Sequence, residues 1–573
     1  MRASFPALTA ALIVLALSLG GASHLLIDHE GPSELRTFGS EAEMRAFIDS
    51  HGPARNSDWG LFGNVRDDAV SLEAADHSGT NVQVAGVDEG DMVKTDGEHI
   101  YISDGTAVHI VRAHPADQLS NVSIIHPAGD GHISALYLDG DRLTIIRSAG
   151  QYYVMDIDWN VERAVEAGTT LSVYNVSDPS APALEHEAGA SGWYTGSRMI
   201  DGIAYIVVHN DLWRGGSVAT PEVRSAGRSS NVNATDVMYD PSVREVTGFL
   251  SLLAVDTSSG ESSYLTVVSS ASTVMYMSPR SLYLTMPVWS DPGPNGRTTI
   301  YRLDVDGLNV TLAAQGSVDG HLISPFCMDE RDGLLRVATT SGRSAPSTAV
   351  AVLDMDLEQV GVLKGIAPGE TMYAARFMGD RLYLVTAIQV DPLFVVDLSD
   401  PSAPALRGEL KVPGISTYLQ MTEHGLLGVG TENGTLKVSL FDVADDGAPR
   451  EIDTYVFAEL SYSDGQWDHH AVLWDDRHDL LSLPLYRWAV ASGDWQYASW
   501  SALAVLSVTD GGIELRGQVE HPGAYVQRSL YIGDHLYSIS TSMIKVNALP
   551  GLEDEGGLVY RDAILPYGRD GAL

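Results

Sequence analysis

The chain has 573 residues, 44% of them hydrophobic, with a mean hydropathy close to zero, so it can fill a sizeable core and is not a disordered chain. Its 75 acidic residues against 35 basic ones give a net charge of −40, and lysine occurs only at Lys94, Lys364, Lys411, Lys437 and Lys545. Such a surface repels phosphate backbones, which argues against nucleic-acid partners, and it suits a salty medium in which ions screen the self-repulsion.

At the N-terminus, Arg2 precedes an apolar run from Phe5 to Gly20 and the small residues Gly20-Gly21-Ala22. This is the order of an export signal, and residues 1–22 are expected to be a signal peptide cleaved after Ala22 or an uncleaved membrane anchor. The globular part is therefore expected outside the cell or on its surface, touching the membrane only through that segment. Five Asn-x-Ser/Thr triplets, at Asn121, Asn175, Asn233, Asn309 and Asn433, are compatible with such a location. Residues 23–79 read as one short helix followed by a polar linker or strap. Ser40 caps the helix, Glu43 completes a capping box, and Met44, Phe47 and Ile48 form its apolar stripe.

From residue 80 to 550 the period changes to two and a hairpin signature recurs. It reads Asp96-Gly97-Glu98-His99-Ile100-Tyr101 early in the chain, Gly379-Asp380-Arg381-Leu382-Tyr383 in the middle and Gly533-Asp534-His535-Leu536-Tyr537 at the end, nine copies in all. Gly and Asp sit at the turns because these need positive φ or a side chain that bonds its own backbone. A second unit, an apolar strand ending in an acidic turn, follows most copies, and the octamer Ser177–Leu184 recurs letter for letter as Ser399–Leu406. Hairpin, strand, acidic turn and outer strand make four strands per repeat. The fold class is accordingly all-β, a single β-propeller of four-stranded blades, with eight blades favoured within a range of seven to nine. A sandwich would not repeat its hairpin so often, and a solenoid would show shorter periods. The final repeat supplies only three strands by this reading, so Asn81–Val87 is expected to complete the last blade, leaving 551–573 as a tail. The segments from Asp211 to Val246 and from Tyr486 to Ser501 interrupt the rhythm, the first as an expected surface loop.

The stretch Thr80-Asn81-Val82-Gln83-Val84-Ala85-Gly86-Val87-Asp88-Glu89-Gly90-Asp91-Met92-Val93-Lys94-Thr95-Asp96-Gly97, with Met328-Asp329-Glu330, Gln389-Val390-Asp391-Pro392, Asp468-His469 and Arg528–Asp534, resembles a family of secreted prokaryotic, mostly archaeal proteins. These carry a C-terminal β-propeller domain distantly related to WD-type repeats. The likeness runs from about Leu35 to Val546, with Gly90 where the family usually has alanine. It implies export and a propeller but brings no activity and no catalytic residue, the family being of unknown function.

Three groups of residues could carry chemistry. Asp88, Glu89 and Asp91 offer hard oxygen ligands for Ca²⁺ or another divalent metal, or are solvated turn acids; no cofactor is required by any motif. Asp468 and His469, with His470, Asp475, Asp476 and His478 close by, could act as acid and base or hold a metal, although adjacent histidines on a strand would point to opposite faces. Trp467, Trp474, Trp488, Trp495 and Trp500 with Tyr486 and Tyr497 form an aromatic-rich stretch that could stack on sugar rings, anchor a protein or fill space between blades. Cys327, the single cysteine, lies in an apolar run and reads as a buried thiol, and it forbids an intramolecular disulfide. No metalloprotease, nucleophile-elbow, phosphate-loop or dinucleotide motif is present. The expected function is a non-catalytic, exported scaffold for a glycan or an envelope protein, with Trp488, Trp495, Trp500 and Tyr497 as binding residues. The alternative is an exported hydrolase or lyase with a metal-assisted site at the channel mouth.

Overall fold

The computed structural model describes residues 35–52 and 77–561, apart from 151, 156–160, 166, 215–216, 244, 271–273, 289–295, 343–344, 388–390, 459, 488–489, 492–493 and 496–499. The segment expected to direct export, most of the expected linker, Trp488 and Tyr497 lie outside the described residues. Among the described residues, four consecutive antiparallel strands follow one another nine times along the chain. The blades span 93–125, 132–191, 193–269, 274–319, 328–366, 371–412, 415–456, 461–520 and 526–559. Each of the nine hairpin repeats lies in a blade of its own, the top of the seven-to-nine range and one more than the favoured count.

Nine apolar clusters alternate with the blades. One joins Tyr101, Val108 and Ile110 of the first blade to Ile133, Leu143 and Ile145 of the second. Another joins Ile100, Ile102 and Val111 of the first to Tyr537, Ile539 and Ile544 of the ninth, so the ring closes on itself. Because each blade is covered on both faces, its middle strands are apolar without alternation, as in Leu382-Tyr383-Leu384-Val385 and Leu393-Phe394-Val395-Val396. Burying these faces at about 25 cal/mol per Å² of apolar surface drives the assembly.

The repeated acidic turns are structural. At the end of the third strand, Asp256 Oδ1 accepts from Ser258 N at 2.7 Å, and Asp397 and Asp442 make the same bond at 3.0 Å. The repeated octamer has its partners on the neighbouring blade. Pro179 O accepts from Ser123 Oγ at 2.6 Å on the outer strand of the preceding blade, and Pro401 O packs onto Gly361, also on the preceding blade's outer strand. The octamer is a blade-to-blade clasp.

Closure differs from the expectation. The fourth strand of the last blade is Glu553–Val559, paired with Met543–Ala548, so what read as a tail completes the ring. Asn81–Val87 forms no strand, and Ile544 pairs with Ile539 and Leu558 rather than with anything near Val84. Val82, Val84 and Val87 mimic a strand's spacing, but Gly86 at φ 82° and the Val87 N to Val84 O bond at 3.1 Å turn the chain there.

The segment from Asp211 to Val246 is also more than a surface loop. It contributes the strands Glu222–Ser225, Arg228–Asn231 and Val237–Tyr239, which extend the second and third blades. Helix α1 (Glu41–His51) covers them, burying Met44 and Ile48 beside Val218, Val232 and Phe249. Ser40 Oγ accepts from Glu43 N at 3.2 Å as expected, and Glu43 reaches back to Gly39 N at 2.8 Å. Phe38 stacks on Tyr239 with ring centroids 4.0 Å apart, which fastens the segment before the helix to the ring.

Candidate functional site

The chain crosses the middle of the ring before it builds the first blade. Ser78 N donates to Tyr531 O at 3.0 Å on the inner strand of the ninth blade. Asn81 Nδ2 donates to His469 O at 3.0 Å in the eighth, and Gln83 Nε2 donates to Pro325 O at 3.1 Å beside the fifth. Asp88–Glu89 then pairs with Met199 and Arg198 of the third blade, and Asp91 pairs with Leu136 of the second. Residues 77–91 thus form a strap through the central tunnel, touching inner strands on opposite sides of it.

The strap brings two of the sequence-predicted groups together. Asp88, Glu89 and Asp91 meet Asp468, His469 and His470, but each carboxylate of the strap faces a different cation. Lys94 Nζ lies 2.8 Å from Asp88 Oδ1 and 2.6 Å from Glu89 O. Arg198 Nε lies 3.1 Å from Glu89 Oε1, with both side chains 2% exposed. Arg528 reaches Asp91 Oδ1 at 2.9 Å and Asp468 Oδ2 at 2.8 Å. The three strap acids therefore do not form a calcium cage, because each is paired with an inner-strand cation of its own.

The local backbone explains the histidines. The eighth blade's inner strand is broken between Ser461–Tyr462 and Leu473–Asp475 by two short 3₁₀ turns, and His469–Ala471 is the second of them. The expectation that His469 and His470 point to opposite faces fails for this reason: in the turn their rings lie 3.8 Å apart on one side. His469 Nε2 bonds Asn81 O at 3.0 Å, and His470 Nδ1 lies 3.2 Å from Asp468 Oδ1. Glu89 Oε2 faces both rings, 3.9 Å from His469 Nε2 and 3.7 Å from His470 Nε2.

Burial would raise the Asp468 carboxyl, but Arg528 and then His470 outweigh it and hold it well below the usual carboxylate range. His469 is pushed well below its ordinary value, first by burial and then by the neighbouring His470, so it is neutral. Burial works against the Arg528 charge, yet Asp468 and Asp91 raise its pKa further. Asp468 and His469 are thus fixed in one protonation state each, which is a poor starting point for the expected acid–base pair. A cavity of about 260 Å³ adjoins the cluster, lined among others by Asp88, Asp91, Lys94, His470 and Arg528.

The other candidates are dispersed. Asp475 is buried at the end of its strand, where it accepts from Arg477 N and lies 2.8 Å from His478 Nδ1. Glu423, His424 and Asp479 lie close together, but His424 has a carboxylate on each nitrogen, Asp479 at 2.9 Å and Asp510 at 2.8 Å. Hydrogen bonds to Asp479 and then Asp510 raise its pKa, which favours an imidazolium without a lone pair to offer. Trp474 fills the seventh–eighth blade core, and Trp500 is half-buried under Arg487 with its Nε1 donating to Glu520 at 3.1 Å. Trp467 is 48% exposed, and Trp495 lies in a short strand, Asp494–Trp495, paired with Val490–Ala491. Cys327 is buried, and burial raises its thiol.

Sequence reasoning missed Lys94, Arg198 and Arg528. Arg528 lies 437 positions from Asp91, so no local pattern joins them. The available signal was Lys94 itself, with no lysine before it and none after it until Lys364, placed beside three acids.

An uncharacterized protein of Methanocaldococcus jannaschii is 29% identical over 567 residues, covering 83% of this chain and 82% of that protein. An uncharacterized protein of Archaeoglobus fulgidus is 28% identical over 568 residues, covering 83% and 84%. Among solved structures, the periplasmic gluconolactonase of Pseudomonas aeruginosa aligns at 15% identity and a TM-score of 0.34, over 55% of this chain and 93% of its own. A protein from Lactobacillus plantarum aligns at 14% identity and a TM-score of 0.32, over 55% and 93%. The model of the beta propeller domain matches residues 77–552, from the start of the strap into the last blade, and the chain belongs to that family.

Proposed function

We propose that the protein is an exported, cell-surface or secreted propeller that binds rather than turns over its ligand, a glycan or an envelope protein. The observation that carries this reading is the occupied tunnel. Residues 77–91 run through the place where a propeller would otherwise admit a substrate, and the charged groups there are bonded to one another. Binding is then left to a face of the ring.

Antiparallel order puts two kinds of connection on one face: those between blades, and those joining each second strand to its third. That face carries the long connections between the strands that end at 149, 211 and 487 and those that begin at 168, 248 and 500, and the connection that leads into the eighth blade carries Leu460, 54% exposed; Trp467, 48% exposed, lies in the break of that blade's inner strand. Trp495 lies in the last of these connections and Trp500 begins the strand after it; with Trp488 and Tyr497, their neighbours in sequence, they are the proposed contacts, since flat aromatic rings stack on sugars and anchor protein partners. Purified protein on a glycan array, and in pull-downs from envelope extract, tests this. Trp467→Ala, Trp495→Ala and Trp500→Ala are expected to abolish capture; wild-type capture by all three would refute the assignment of this face.

One observation favours a second reading, a metal-assisted hydrolase or lyase. Glu89, His469 and His470 place their ligand atoms within 4.8 Å of one another beside a cavity. A hydrolase and lyase screen with and without chelator separates the two, chelator-sensitive turnover being the result that displaces the binding reading.

A further inference from the structure

We propose that Glu89, His469 and His470 bind one first-row divalent cation of the zinc class, which locks the strap to the eighth blade. The inference stands apart from the surface-binding reading, because a locked strap serves a non-catalytic propeller equally well.

Donor chemistry is the first argument. Two imidazoles and one carboxylate are the ligand types that zinc takes in three-ligand sites. Tetrahedral bonds of about 2.0–2.1 Å put neighbouring ligand atoms about 3.3 Å apart. Glu89 Oε2 is already 3.7 Å from His470 Nε2 and 3.9 Å from His469 Nε2, and the three ligand atoms all lie within 4.8 Å of one another, so side-chain adjustment can close them on an ion. His469 would exchange its hydrogen bond with Asn81 O for the ion.

The second argument is the state of His470. Its side chain is 7% exposed, and its Nε2 has no hydrogen-bond partner among the described residues. Its other nitrogen faces Asp468 Oδ1 at 3.2 Å, and Asp468 is in turn held by Arg528. A carboxylate behind Nδ1 fixes the proton there and turns the Nε2 lone pair toward Glu89, the arrangement that orients metal-binding histidines.

Charge selects the ion. Asp88, Glu89, Asp91 and Asp468 are balanced by Lys94, Arg198 and Arg528 together with Arg376, which packs on Phe326 beside His469. A neutral surround with nitrogen donors gives no advantage to calcium, which wants six to eight oxygens. It suits zinc, cobalt or nickel, whose affinity rests on imidazole.

The test uses the mature protein stripped with chelator and then titrated with Zn²⁺ by calorimetry and with Co²⁺ by visible absorption. One equivalent of Zn²⁺ should bind, and Co²⁺ should give the intense d–d bands of a low-coordinate site. His470→Ala and His470→Gln should weaken binding at least 100-fold, and Asp468→Asn by 10–100-fold, the usual effect of removing a residue behind a ligand. His424→Ala, in the other histidine–acid cluster, should bind like wild type. Far-UV circular dichroism and gel filtration identify variants that fail to fold, and His470→Gln, which keeps a polar side chain, carries the test if His470→Ala does. Absence of stoichiometric binding by folded wild type would overturn the site. Unchanged binding in a folded His470 variant would overturn it equally.

Discussion

Removing the Arg528 guanidinium tests whether the tunnel cluster holds the ring together. Arg528 sits between Asp91 at 2.9 Å and Asp468 at 2.8 Å, and all three side chains are 9% exposed or less. Arg528→Met keeps much of the stem but leaves two buried carboxylates facing each other without a cation. Breaking one buried pair costs about 3–5 kcal/mol, most of it the penalty of the charge left behind. Folding stability is commonly about 5–15 kcal/mol, so the loss is a large share of the whole. The assay is equilibrium urea unfolding at neutral pH, followed by tryptophan fluorescence, with a lower midpoint and an unchanged slope expected. Neutralising the stranded acids in the triple variant Arg528→Met, Asp91→Asn, Asp468→Asn should restore at least half of the loss, since the carboxylates and not the missing arginine set the penalty. Acid should act the same way. The folded Asp468 value lies below its unfolded one, so in wild type its contribution is present above pH about 3.9 and is lost as pH falls through the folded value. In Arg528→Met, Asp468 loses the guanidinium that lowers it and protonates more readily, and the gap to wild type should narrow below pH about 4. A neutral-pH loss under about 1 kcal/mol, or a triple variant no better than the single one, would refute the reasoning.

Three further outcomes are expected. His521, whose Nε2 lies 2.7 Å from Ser538 Oγ, is lowered to about 4, first by burial and then by Lys545. Its contribution is therefore full above pH 6.5 and is lost as pH falls from 6.5 toward 4, by on the order of 3 kcal/mol; a pH series of unfolding midpoints should be flatter over that window in His521→Gln. Gly361→Ala would drive a Cβ into Pro401 O of the next blade's clasp and should cost about 1–3 kcal/mol by urea titration, whereas at Gly379→Ala, a turn with φ 57°, the added Cβ meets no atom of a neighbouring blade and only local backbone strain is expected. Ending the chain at Pro550 removes the outer strand Glu553–Val559 and buried Tyr560, baring the edge of Met543–Ala548; light scattering should report self-association, and a monodisperse product with wild-type melting would contradict closure by that strand.

Much of the ring was legible in the sequence because each blade repeats one local solution. The Gly/Asp hairpin turn, the apolar middle strands and the acidic turn after them are set by neighbouring residues, so period and turn chemistry reveal them. The octamer Ser177–Leu184 was visible as a repeat, but its role as a clasp was not, because its partners Ser123 and Gly361 lie on another blade. The same limit explains the error at the ends. Val82, Val84 and Val87 have strand-like spacing, yet Val84 packs between the fourth and fifth blades and Val87 against the third and fourth. Glu553–Val559 is exposed at most positions and acidic, with little apolar alternation, so its pairing leaves scant trace in the residues. At the site, the acids and histidines could be singled out by type. Their convergence could not, since it depends on the strap meeting the eighth and ninth blades more than 380 positions later.

The strap also imposes an order on assembly. It is made before any blade, but Ser78, Asn81 and Asp91 find their counterparts in the last two. A chain cut short before residue 461 would hold an axle whose polar groups have nothing to grip on that side. Completion and closure are thereby one event, and a protein built this way carries its own check that synthesis has passed the last blades.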